Sequence, residues 1–295
     1  MSQPVEGIDL NSWVRQSKVF QFQGHALRYW DEGQGEPLLL IHGFPSGSWD
    51  WQYLWQPLAQ RYRVIACDML GFGFSAKPRG HRYSLIEQAD IQQALMTLLG
   101  VRRYHVLAHD YGDSVAQELL ARDRAGPSFL TSLCFLNGGL FPETHRPVLV
   151  QKLLMSPFGF LIGKGFNQDK LKQNFGRVFG PDTQPSEREL AGFWEMIACN
   201  NEQAVMHRLI QYMPERKVHR DRWVEAMQNT QVPMRVIDGA ADPVSGAHMV
   251  ARYRELITRA DTVLLDGIGH YPQVEAPEQV LAAYLDFRSE KAEAA

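Results

Sequence analysis

Cysteine is scarce in this 295-residue chain: Cys67, Cys134 and Cys199 lie far apart, with no ligand-like spacing. That excludes a disulfide framework and a thiolate metal set. Cys67 and Cys134 fall in apolar runs and read as buried structural thiols. No stretch reaches the roughly 18 uncharged apolar residues that a membrane span requires. The nearest approach, 148–163, is broken by Gln151, Lys152, Ser156 and Pro157 and reads as an amphipathic element. Charge of one sign is also lacking. A net charge of −3 argues against a nucleic-acid or anionic-membrane surface. The short basic clusters at Arg61/Arg63 and from Arg216 to Arg222 read as solvated faces. The opening MSQPVEGIDLNSW has neither a basic start nor an apolar core, so a secretory signal is not expected there, and a cytoplasmic location is. There is no internal repeat, and the only biased segment is the tail from Lys291 to Ala295.

What is present is a soluble globular composition, 45% hydrophobic and 21% charged, long enough for one large or two ordinary domains. Strand and helix signals alternate. Strands are predicted at 18–23 and 26–32, turning at Gly24, then at 37–42, 64–68, 106–108 and 132–136. Helices are predicted at 48–60, 84–99 and 114–122. From 138 to 231 the rhythm becomes helical, with periods at 186–199, 202–212 and 222–227. It then resumes with strands at 232–237 and 262–265 and helices at 248–256 and 277–287. This is an α/β pattern. Residues 1–138 and 232–295 form the core, and 139–231 an inserted helical lid, or cap domain, over the C-terminal sheet edge.

Residues 103–116, RYHVLAHDYGDSVA, carry the chemistry. Small–x–nucleophile–x–small between a strand and a helix is a nucleophile elbow. Ala108 and Gly112 place Asp110 at its apex. Two other readings exist: Asp110 as a plain N-cap, or an elbow on Ser114 within Gly112-Asp113-Ser114-Val115-Ala116. The Ser114 elbow would require His109, Asp110 and Tyr111 in a buried parallel strand, where continuous apolar residues belong. A carboxylate nucleophile forms a covalent ester that water must open, which suits epoxides and alkyl halides.

Such an ester needs an oxyanion hole, a base and a group orienting the base. The hole is expected from the N–H groups of Tyr111 and of Phe44, in His42-Gly43-Phe44-Pro45. Of ten histidines, His270 alone follows the last strand in a flexible loop, and it is the expected base. His42 and His109 are expected to shape turns, and the others to be surface or structural residues. Asp242, in the loop after 232–237, is the expected orienting acid, whereas Asp238 is read as structural.

HGFP, the 68–75 turn DMLGFGFS, the aspartate elbow and the late Gly-His resemble the α/β-hydrolase superfamily over nearly the whole chain. The aspartate is similar to that of its epoxide hydrolase and haloalkane dehalogenase branch. HDYGDSVAQELLAR (109–122), SLCFLNGGLFPETHRP (132–147), VFGPDTQPSEREL (178–190) and HYPQVEAP (270–277) resemble the mesoderm-specific transcript family. The resemblance implies a mostly parallel eight-stranded sheet and a hydrolase.

Epoxide opening needs a proton donor, and the resemblance puts a lid tyrosine at Tyr212. A second is expected near 150–165, which contains none, leaving assistance by a single tyrosine, or His145 or Trp194 as a different donor. Haloalkane dehalogenases are expected to carry tryptophan after the nucleophile, and haloacetate enzymes arginine. Tyr111 stands there, with Trp194 and Trp223 as the remaining halide donors. Epoxide hydrolysis therefore leads and dehalogenation follows. A non-catalytic ligand-binding or scaffold role is the third reading. Phe158, Phe160, Phe166, Phe193 and Trp194 predict an apolar pocket for a small or medium substrate, with no metal and no organic cofactor.

Overall fold

The computed structural model describes residues 5–292, with side chains through 289; the last three residues of the biased tail lie outside the described residues. Eight strands form one sheet: β1 Lys18–Phe22, β2 His25–Glu32, β3 Glu36–Ile41, β4 Tyr62–Cys67, β5 Tyr104–His109, β6 Leu130–Leu136, β7 Met234–Gly239 and β8 Thr262–Leu265. Their order is β1-β2-β4-β3-β5-β6-β7-β8, and β2 alone runs against its neighbours. The chain leaves β3 toward β4 on one side, then returns to build β5 and β6 on the other. The loops after β3 and β5 therefore diverge, opening a crevice at their C-terminal ends where α/β sheets place ligands.

Helices cover both faces of the sheet because its central strands are apolar on both sides. Leu38, Leu39, Leu40 and Ile41 of β3 are fully buried, as are Val106, Leu107 and Ala108 of β5. Each such side chain larger than alanine contributes roughly 1.5–3 kcal/mol over an exposed one. Cys67 and Cys134 are buried as free thiols. Ser84 caps the helix Leu85–Leu98 by accepting from the Glu87 N–H.

Two predicted helices are broken, the first by tertiary contacts. The segment 48–60 divides into a 3-10 turn, Ser48–Trp51, and a helix Trp55–Ala59. The Asp68 carboxylate accepts from the Ser48 N–H at 2.6 Å, and the Trp49 indole donates to the Ile8 carbonyl at 2.8 Å. The segment 202–212 is interrupted at Val205 and again between Leu209 and Tyr212, and just ahead of it Asn200 and Asn201 take φ of 52° and 61°. A 3-10 stretch, Cys199–Ala204, is followed by the helices Met206–Leu209 and Tyr212–Asn229. The amphipathic element at 148–163 forms two short helices, Leu149–Leu154 and Gly159–Lys164. Between β6 and β7 every regular element is helical. No helix among the described residues is long and apolar enough to cross a membrane.

A buried cation ties this helical insertion to the sheet. Lys77 Nζ donates to the carbonyls of Gly73 (2.6 Å), Met196 (2.9 Å) and Cys199 (2.6 Å) and lies 3.2 Å from Glu202 Oε2. Both side chains are shielded from solvent. Lys77→Met leaves those carbonyls and Glu202 without their partner. We expect a loss of about 3–5 kcal/mol in equilibrium denaturation; a loss under about 1 kcal/mol would show that the contact is not holding the insertion.

Candidate active site

The elbow forms where the end of a strand meets the start of a helix across one strained residue. β5 ends at His109, and the helix Tyr111–Ala125 begins two residues later. Asp110 between them takes φ 48°, ψ −105°, a left-handed strain costing about 1–3 kcal/mol. A Cβ on Gly112 would lie 2.4 Å from the Ile41 carbonyl oxygen, so only glycine lets the helix start press against β3. Asp110 occupies the N-cap position, yet its carboxylate makes no cap bond to the helix. Oδ2 instead accepts from the Phe44 N–H of the loop after β3, at 3.0 Å. Ser114 lies inside the first helical turn, its hydroxyl accepting from Arg216 Nε at 2.6 Å. Geometry thus separates the three readings of this segment: neither a capping carboxylate nor an apical serine is present.

Loops after β7 and β8 bring Asp242 and His270 to the same place. His270 Nδ1–H donates to Asp242 Oδ2 at 2.7 Å, and His270 Nε2 stands 4.0 Å from Asp110 Oδ1. Asp242 also accepts from the N–H groups of Val244 (2.7 Å) and Ser245 (3.1 Å), the Ser245 hydroxyl (2.9 Å) and Asn137 Nδ2 (3.1 Å). Each bond to a charged acceptor contributes about 1.5–3 kcal/mol. Burial pushes the Asp242 carboxyl upward, but these donors and His270 bring it down to about 2. Asp238 stays within β7, fully buried, its pKa raised by burial and by Asp242.

Burial drives His270 toward neutrality, but the Asp242 and Asp110 carboxylates override it and raise the imidazole to about 9. Asp110 is held below the usual carboxylate range: His270 and Arg216 outweigh its desolvation. His109 shapes the floor, its Nε2–H donating to the His270 carbonyl at 2.7 Å, and His42 accepts from the Met69 N–H at 3.0 Å. Tyr111 is the first helical residue, so its N–H has no acceptor within the helix.

Arg216 corrects the reading of 216–222 as a solvated face. It is 2% exposed, donates from Nη2 to the Asp110 carbonyl at 3.0 Å and lies 3.8 Å from Asp110 Oδ1. Charge count alone could not reveal this, but helical spacing could. Arg216 follows Tyr212 by one turn of the same helix, so both face the site. Its guanidinium carbon sits 4.5 Å over the Tyr212 ring. Arg222 and Trp223 are engaged elsewhere, both bonding Glu118. Asn137 and Ser245 were likewise missed.

Tyr212 is 1% exposed, its ring 4.9 Å from that of Tyr111, and its hydroxyl has no partner among the described residues. Burial and the Asp110 charge raise its pKa, so it stays protonated. Trp194 is half-buried against Phe166 (6.4 Å) and does not line the site. An apolar cavity of about 70 Å³ adjoins His270, lined by Phe44, Leu154, Phe166, Phe175 and Tyr271, among others. No cluster of metal-ligand type occurs among the described residues.

If Asp110 and Asp242 together hold the imidazolium, removing one charge must lower its pKa. A proton-detected NMR titration should find His270 titrating near 9 in the native protein. In Asp110→Asn the midpoint should fall clearly, and an unchanged midpoint would contradict the coupling.

The comparisons agree with this architecture. Residues 36–277 match the family described as alpha/beta hydrolase fold. The human mesoderm-specific transcript homolog protein is 44% identical over 295 aligned residues, covering 94% of this chain and 87% of the relative. The cis-3-alkyl-4-alkyloxetan-2-one decarboxylase of Shewanella oneidensis is 27% identical, covering 90% of this chain and 86% of the relative. A crystal structure of an alpha/beta hydrolase fold protein from Burkholderia ambifaria superposes with TM-score 0.80 at 24% identity, covering 95% of this chain and 99% of that one. The chain belongs to the α/β-hydrolase superfamily and, within it, to the mesoderm-specific transcript family.

Proposed function

We propose that this protein is an epoxide hydrolase-like enzyme in which Asp110 is the nucleophile, His270 the base and Asp242 the group that orients it. The observation that carries the reading is the arrangement at Asp110. One carboxylate oxygen is held by the Phe44 N–H, while the other faces His270 Nε2 at 4.0 Å and Arg216 at 3.8 Å. Held this way, Oδ1 attacks an epoxide carbon, the ring C–O bond breaks, and the alkoxide takes the Tyr212 proton. Oδ2 becomes the ester carbonyl oxygen, already at the Phe44 N–H and near that of Tyr111, the two donors of an oxyanion hole.

Water then adds to Cγ as His270 takes its proton. Collapse expels the diol oxygen, which is reprotonated from His270, and the proton left on Asp110 returns to Tyr212 through solvent. Esterification itself prepares the base. It removes the Asp110 charge, one of the carboxylates that raise His270, so the imidazole loses its proton more readily when a base is required. The helical insertion, 139–231, acts as the lid, and with the cavity at about 70 Å³ it must shift to admit any but the smallest substrate.

The free, buried Tyr212 hydroxyl favours an epoxide over a halide, because a halide needs no proton. Trp223, one of the candidate halide donors, is bonded to Glu118. The oxetanone named for the Shewanella relative is itself a strained, oxygen-containing ring.

With His270→Ala the ester should form and persist. Intact mass spectrometry after exposure to mixed epoxides and haloalkanes should show an adduct mapping to Asp110, epoxide-derived. Adducts from haloalkanes alone would instead make the enzyme a dehalogenase. Tyr212→Phe should slow ester formation from epoxides about a hundredfold and leave the rate with haloalkanes unchanged; an equal loss with both would remove the proton-donor role. In a pre-steady-state pH series, ester hydrolysis should rise with pH to a midpoint below 9, the value of the free enzyme's imidazole.

A further inference from the structure

The reaction above leaves two buried polar groups unused. Arg216 spends Nε on Ser114 and Nη2 on the Asp110 carbonyl, while Nη1 has no hydrogen-bond partner among the described residues. Both ring nitrogens of His145 are also out of solvent contact and unpartnered. The two groups converge on one spot: a Cβ placed on Gly139 would lie 2.4 Å from Arg216 Nη1 and 3.1 Å from His145 Nδ1. They line a cavity of about 330 Å³, distinct from the apolar one at His270, with Lys217 also in its wall. No carboxylate is among its lining residues. Glu143, the acid two residues before His145, is held by Arg220 at 2.6 Å and Arg252 at 3.3 Å. Burial, with the Arg216 charge, brings His145 down to about 4, so at neutral pH it offers one N–H donor.

We infer that Arg216 Nη1 and His145 form a carboxylate-binding subsite beside the nucleophile, and that the substrate is an anionic electrophile held there by its carboxylate. A carboxylate can accept from both groups, and charge-assisted bonds are the strongest available to a buried guanidinium. The same guanidinium stands 3.8 Å from Asp110 Oδ1, so one cation serves both the nucleophile and the bound anion. That fixes the reactive carbon within a few bonds of the carboxylate, as in a 2,3-epoxycarboxylate. Its apolar remainder points to the cavity at His270. Oδ1 bonds to a ring carbon, the ring C–O bond breaks toward Tyr212, and the substrate carboxylate stays unchanged on Arg216. The inference rests on the proposed reaction only for this last step.

The test begins with ligands that cannot react. NMR titrations with butanoate and with butanamide should show butanoate binding at least tenfold more tightly. Arg216→Met should bring butanoate to the level of butanamide. Because Arg216 also touches Ser114 and Asp110, His145→Ala supplies a second variant, which should weaken butanoate and leave butanamide unchanged. In the His270→Ala background, 2,3-epoxybutanoate should label Asp110 at least tenfold faster than its amide. Equal binding of butanoate and butanamide would overturn the subsite. Selective butanoate binding with equal labelling rates would overturn the substrate assignment. Selective binding with no labelling by either epoxide would support the subsite and count against the nucleophile reading instead.

Discussion

The close approach of Gly112 to the end of β3 is the constraint on which the rest of the site depends. With the helix start pressed against the Ile41 carbonyl, Asp110 turns between strand and helix in a left-handed conformation. That backbone points its carboxylate out of the helix and into the crevice between the β3 and β5 loops. There it meets the Phe44 N–H rather than capping its own helix. The strain is supported by the surrounding sheet, whose central strands are fully buried and unable to relax.

Around that carboxylate the charges balance. Asp110 and Asp242 face the imidazolium of His270 and the guanidinium of Arg216, so four buried ionisable groups carry little net charge. Balance of this kind lets Asp110, Asp242 and His270 stay ionised away from water, where any one of them alone would shift its pKa and neutralise. It also makes the site responsive: converting one carboxylate to a neutral ester changes the protonation preference of its neighbours. The two cavities divide by the same logic, an apolar one bordered by His270 and one bordered by the cations Arg216 and Lys217.

What the sequence made legible were the positions that backbone geometry dictates. Asp110 lies between small residues at a strand end, and Asp242 and His270 follow later strands; each is local and periodic enough to be read one segment at a time. The strand set was legible for the same reason, since apolar runs flanked by turns have few other uses. Arg216 was not, because a lone cation in a charged stretch looks solvated until the helix carrying it is docked. Asn137 and Ser245 share that difficulty: their roles come from β6, β7 and the following loops meeting in space. The broken helix at 48–60 failed for a related reason: Ser48 and Trp49 bond distant parts of the chain.

In the proposed reaction an oxygen of Asp110, not of water, is transferred to the substrate. A single turnover in H₂¹⁸O with excess enzyme tests it directly. With Asp110 as nucleophile the first product carries ordinary oxygen at the attacked carbon, and ¹⁸O appears in the peptide that contains Asp110. Product labelled with ¹⁸O in that first turnover, and an unlabelled Asp110, would mean that water attacks the substrate directly and that Asp110 is not the nucleophile.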